Sequence, residues 1–192
     1  MALQDVDEQS VILMSTVRFI SFPQTNPPPE FVSSIVETFR KHEPSISTIA
    51  LAKGLESDPV LRELASDLAS LGFIVETAKG MKGKIPRPVF YGENGLPSLR
   101  YDIDAYHPVW RCGLEVEAGR AILGNAIFRD LFQAMVMTDV DHLCLGIPNV
   151  YKHKSGGRSV TVKYYDKATS IASALYGHTR VTMPYGLTII GY

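Results

Sequence analysis

Two short runs, Tyr101-Asp102-Ile103-Asp104-Ala105 and Cys112-Gly113-Leu114-Glu115-Val116-Glu117, place carboxylates at every second position. Side chains alternate faces along a strand, so each run reads as a strand with acids on one face and apolar residues on the other. Pro108 in the short link predicts a tight turn and antiparallel pairing, with strands over Leu99 to Tyr106 and Trp110 to Glu117. A turn centred between Val109 and Trp110 sets Asp104 opposite Glu115 and Asp102 opposite Glu117. Like charges at cross-strand distance repel, and each carboxylate raises its neighbour's pKa. Two arrangements resolve this crowding. Either a hard divalent cation, magnesium or manganese, sits among the oxygens, or the acids form the solvated face of a hairpin. The second normally interleaves Lys or Thr, whereas Gly113 leaves open space beside the glutamates.

The segments around this hairpin supply its setting. Pro27-Pro28-Pro29 excludes helix before it and favours a start after it, where Phe31, Ile35, Val36 and Phe39 recur at helical spacing until Pro44. A shorter helix is expected over Ile46 to Lys53, stopped by Gly54. Asp58 as cap, Pro59 in the first turn and the stripe Leu61, Leu64, Leu68, Leu71 predict a helix ending at Gly72. Phe73 to Thr77 reads as a strand, Arg120 to Met137 as a helix, and His142 to Ile147 as a continuous apolar strand ended by Pro148. Val160 to Tyr164 reads as extended, Asp166 as the cap of a helix to Tyr176, and Leu187 to Ile190 as a last strand. From 59 to 148 the order is helix, strand, strand, strand, helix, strand. The fold class is therefore α/β, with a mixed central sheet flanked by helices and a parallel crossover between its third and fourth strands.

The length of 192 residues suits one domain over 1–192. Hydrophobic residues at 45% and charged residues at 20% are ordinary globular usage. No apolar run is long enough to span a bilayer, and the acidic N-terminus does not resemble a signal peptide, so a cytoplasmic setting is expected. Cys112 and Cys144 lack metal-ligand spacing and read as buried thiols. The net charge of −1 argues against a surface coated for non-specific nucleic-acid binding. Two local basic clusters remain, Lys79, Lys82, Lys84 and Arg87, and Lys152, His153, Lys154 and Arg158 around Gly156-Gly157. Each is either a phosphate-binding loop or a solvated one. There is no Walker A loop, dinucleotide-binding glycine pattern or GxSxG elbow. The histidines at 42, 107, 142, 153 and 178 show no metalloprotease spacing, and His107 is expected to face solvent beside the turn.

Ile103-Asp104, followed after a hairpin by Glu115-Val116-Glu117, resembles the PD-(D/E)XK motif of type II restriction endonucleases and related nucleases. The element order over 59–148, about half the chain, is similar to that superfamily's core. The resemblance implies a Mg²⁺-dependent DNA endonuclease in which Mn²⁺ can substitute, acting as a homodimer on duplex DNA. It makes Asp104 the motif aspartate, Glu115 the metal-binding acid, and Glu117 the occupant of the usual lysine position. A glutamate there cannot donate a hydrogen bond, which leaves two roles: a further metal ligand or a base. Tyr101 and Ile103 stand where a proline precedes the motif aspartate, so Asp102 rivals Asp104 as ligand. Glu63 resembles the acid that many members carry on the preceding helix. Asn125 and Arg129 resemble polar residues that the following helix brings to the site, with Gln133 on the same face. The basic clusters, Lys79, Lys82, Lys84, Arg87, Lys152, Lys154 and Arg158, would then contact DNA. The reading from another class is a nuclease-like fold that binds nucleic acid or assembles without catalysis; RNA is a third.

Overall fold

The computed structural model describes residues 15–51, 54–77 and 83–192. The elements follow in the order β1 (Arg18–Phe22), α1 (Phe31–Lys41), α2 (Glu43–Ile46), α3 (Ser57–Leu71), β2 (Ile74–Val75), β3 (Ile85–Tyr91), β4 (Pro97–Ile103), β5 (Ala105–His107), β6 (Cys112–Val116), α4 (Ala126–Val136), β7 (His142–Ile147), β8 (Tyr151–Ser155), β9 (Arg158–Val162), α5 (Tyr164–Gly177) and β10 (Gly186–Gly191). Six strands form one mixed sheet in the order β1-β10-β7-β6-β5-β2, and β3-β4 and β8-β9 are separate two-stranded ribbons. The crossover through α4 joins β6 and β7 in parallel, and β5 pairs β6 antiparallel. No helix among the described residues is long and apolar enough to cross a membrane.

Strand alternation divides the core into two layers. Cys112, Leu114 and Val116 point with Cys144 and Ile190 towards α1 and α3, meeting Ile35, Phe39, Leu64 and Leu68. The opposite face carries Leu143, Leu145, Leu187 and Ile189 against Ile127 and Leu131 of α4 and Ala168 and Ala172 of α5. Each fully buried leucine or isoleucine here contributes roughly 1.5–3 kcal/mol. Glu115, between Leu114 and Val116, necessarily points to the α4 side.

Several expectations need correction. The strand expected over Leu99 to Tyr106 is broken at Asp104: β4 leaves the sheet to pair with β3, and only β5 continues in the sheet. Asp102 is consequently opposite Pro86, not Glu117. The space expected beside Gly113 is filled, since a Cβ there would collide with Cδ1 of Ile103. Pro44 opens α2 instead of ending α1, and the shorter helix lies before the expected span, whose residues 52–53 fall outside the described set. Asp58 and Asp166 sit in first turns, not at caps. The helix after β6 begins only at Ala126, because the preceding residues form turns. His107 is buried, stacked on Trp110 with ring centroids 3.7 Å apart and bonded to the Leu71 carbonyl at 3.0 Å. Strands β1 and β3 lie in segments that carry no clear alternation, and β8 lies in a segment expected as a basic loop.

Candidate active site

The site forms where the antiparallel pair β5-β6 comes apart. Continued pairing would place Ile103 opposite Val116, but the chain turns away at Asp104. Its carboxylate replaces the missing strand by accepting the Val116 N–H at 2.9 Å. The β5-β6 register, Ala105 to Leu114, brings Asp104 and Glu115 together, and their carboxyls lie in hydrogen-bond contact. On the other side, β2 extends its pairing with β5 through the Glu76 N–H, which donates to the Asp104 carbonyl at 2.8 Å. Glu76 adds a nearby negative charge and forms an ion pair with Lys84 at 2.9 Å.

Glu117 lies one step beyond β6, where its N–H donates to the Gly146 carbonyl at 2.9 Å. The buried Tyr192 hydroxyl donates to the Glu117 carbonyl at 2.7 Å and fixes the backbone from the opposite layer. The Glu117 side chain turns to α4, where Arg129 contacts it at 2.9 Å and Asp130 at 2.8 Å. The Glu117 and Asp130 carboxyls also lie within hydrogen-bond reach of each other. Asp130 is only 3% exposed, yet it occupies the buried stripe Ala126, Ile127, Asp130, Leu131, Ala134. A charged residue at a core position of an amphipathic helix is the sequence signal for this group.

Burial and mutual repulsion set the electrostatics. Burial pushes Asp104 up to about 6, against the pull of the Val116 N–H. Glu115 is held well above the usual carboxylate range by burial, then by the charges of Asp104 and Asp130. Glu117 is pushed up to about 8 by burial and by Asp130, with Arg129 opposing. Burial raises Asp130 also. Lys84 is raised by its bond to Glu76 and by the negative charges of Asp102 and Asp104. Of these groups Asp104, Glu115, Glu117, Lys84 and Arg129 line a cleft of about 680 Å³, whose walls also include Arg120, Tyr151 and Lys152.

No three His, Cys, Asp or Glu side chains among the described residues converge as a ready metal-binding group. The donor chemistry nonetheless fits a divalent cation at Asp104 and Glu115. They are two hard carboxyls in contact, each disposed to keep a proton that a cation would replace. Glu117 lines the same cleft and is paired with Arg129 at 2.9 Å.

The remaining sequence candidates lie elsewhere or serve the fold. Asp102 is exposed on the β3-β4 ribbon, and Glu63 is exposed on α3 outside the cleft lining. Asn125 is exposed at the start of α4, with φ of 57°. Arg87 ties the ribbon to the sheet through Asp139 at 3.1 Å and lies over the Tyr106 ring. Lys152 donates to the carbonyls of Ile49 and Leu51. Lys154 and Arg158 are exposed on the β8-β9 ribbon, and Lys79 and Lys82 lie outside the described residues.

No family model matches the sequence, and no curated protein matches it. Among solved structures, the crystal structure of restriction endonuclease BglII complexed with a DNA 16-mer is similar. It aligns with a TM-score of 0.50 over 91% of this chain and 75% of that one, at 14% identity. At that identity the likeness concerns the fold: this chain has an α/β architecture, with a mixed central sheet and flanking helices, similar to that of a restriction endonuclease.

Proposed function

We propose that the cleft is the active site of a divalent-metal-dependent DNA endonuclease of the PD-(D/E)XK type. The observation that carries the reading is the contact between Asp104 and Glu115 at the point where β5 and β6 diverge, on a fold similar to a nuclease. Asp104 and Glu115 would hold the cation, Mg²⁺ or Mn²⁺, which when bound supplies electrophilic stabilisation of the charge developing on the phosphate. Glu117 would act as the base: its carboxyl is already engaged by the Arg129 guanidinium at 2.9 Å, which favours proton transfer over metal ligation. A carboxylate whose pKa lies near neutrality is suited to accept a proton from the attacking water. Arg129 keeps that carboxylate in position, and Lys84 adds positive charge at the cleft wall. Water attacks phosphorus, the bond to the 3′ oxygen breaks, and that oxygen takes a proton from solvent, leaving a 5′-phosphate. One chain supplies one site, so cutting both strands calls for two copies.

The test is incubation of the full chain with supercoiled plasmid in EDTA, Mg²⁺ or Mn²⁺, beside Glu115→Ala, with end mapping. Nicked or linear product that requires metal and Glu115 is expected. Product absent under every condition, or equal for Glu115→Ala, would overturn the reading.

A further inference from the structure

The β8-β9 ribbon stands apart from the main sheet yet begins at the cleft, whose wall contains Val150, Tyr151 and Lys152. Its root is anchored on one face: Tyr151 stacks on Tyr164 with centroids 5.0 Å apart, and Val162 packs on the core. The other face is cationic. Pairing sets Lys152 opposite Thr161 and Lys154 opposite Ser159, and Lys163 continues the alternation, while Arg158, opposite Ser155, projects from the Tyr151 face beside the tip. Between Val150 and Lys163 there are three lysines and one arginine and no acid, in a chain whose net charge is −1. Lys152 is occupied with backbone carbonyls, whereas Lys154, Arg158 and Lys163 form no ion pair among the described residues.

We infer that the β8-β9 ribbon is an arm that enters the major groove of duplex DNA beside the cleft, with Lys154, Arg158 and Lys163 meeting the phosphates of its walls. This rests on the nuclease reading for the identity of the polyanion. The dimensions support a groove over a flat contact. Two five-residue strands make a ribbon about 17 Å long, and the major groove, about 12 Å wide and 8.5 Å deep, admits a two-stranded ribbon. The tip suits entry as well. Gly156 and Gly157 turn at φ of 56° and 77°, the left-handed pair that a two-residue hairpin requires, and no atom lies within 4 Å of where their side chains would be. The tip is therefore narrow and leads with backbone.

The experiment uses the full chain and the triple variant Lys154→Ala/Arg158→Ala/Lys163→Ala. Binding to a labelled duplex and to the matching single strand is measured in EDTA over a salt series, with dimethyl sulfate footprinting and plasmid cleavage alongside. The wild type is expected to prefer duplex and to protect guanine N7 over about five base pairs. The variant, with an unchanged melting temperature, is expected to lose at least tenfold in duplex affinity, two to three units of log–log salt slope and the N7 protection. Unchanged affinity and slope would overturn the inference and leave the cations as protection of the ribbon's open edges. A lost slope without N7 protection in the wild type would overturn groove entry. The two readings separate cleanly: cleavage that persists with ribbon-independent binding sinks only the arm, and ribbon-dependent binding without cleavage sinks only the hydrolysis.

Discussion

Arg129 bridges Glu117 and Asp130, at 2.9 Å and 2.8 Å, so that one guanidinium from α4 holds the last acid of the β6 run and a buried acid of its own helix. Without that cation, Glu117 would face Asp130 unopposed, and its raised pKa would move higher. Arg129→Ala should therefore shift the acid limb of the pH dependence of kcat/KM upwards and lower activity by about 10²-fold. Arg129→Lys, which keeps the charge, should restore part of the shift. Profiles over pH 5 to 10 check this, and an acid limb that stays in place would remove Glu117 from the role of base.

The raised carboxyls also fix how stability varies with pH in the absence of metal. Asp104 titrates at about 6 and Glu117 at about 8, both above their unfolded values near 4. A raised carboxyl favours the folded state while protonated, so its contribution is complete below about pH 4 and lost as pH rises through 6 and 8. Melting temperature in EDTA should fall between pH 5 and pH 8.5. Mg²⁺ or Mn²⁺ should restore it most at the alkaline end, where the carboxylates are free to bind, and Glu115→Gln should flatten the response to metal. A melting temperature that climbs with pH in EDTA would contradict the charge assignment.

Asp104→Ala and Glu115→Ala should each reduce metal-dependent cleavage by at least about 10³-fold while the chain remains folded. Asp102→Ala and Glu63→Ala should stay within about threefold, since neither side chain lies on the cleft wall. Single-turnover nicking of plasmid decides the matter. Loss of activity in Asp102→Ala as deep as in Asp104→Ala would return Asp102 to the metal site.

What the sequence reveals of this site, and what it conceals, follows from local pattern. Asp104 opposite Glu115 is legible because period-two alternation and one short turn determine the register. The departure of Asp102 is not, because its partner strand carries Pro86 and Pro88, and prolines argue against a strand unless it is an isolated edge. Strand β1 is hidden for a related reason: Arg18–Phe22 alternates weakly, and pairing with β10 at the sheet edge requires little of its outer face. Asp130 is concealed by its neighbours. The polar face Asn125, Arg129, Gln133 is obvious, whereas a single acid within an apolar stripe gains meaning only once Glu117 is seen opposite it.

The final prediction concerns the joint between the two halves of the hairpin. Gly113 lies opposite Tyr106 in the β5-β6 pair, and Ile103, the last residue of the ribbon, covers it from above. That contact seats the end of the ribbon on the sheet immediately before the turn at Asp104. Gly113→Ala places a methyl where Cδ1 of Ile103 lies, so either the isoleucine or the ribbon must move. Overpacking of this kind costs about 1–3 kcal/mol. Because Asp104 follows directly on Ile103, the displacement should also disturb its bond to the Val116 N–H and lower cleavage. Ile103→Val removes the clashing methyl, so the double variant should recover much of both losses, although Ile103→Val alone destabilises by about 0.5–1.5 kcal/mol. A double-mutant cycle on denaturation midpoints and on single-turnover rates measures the coupling. Strictly additive losses would mean that Ile103 does not seat on Gly113.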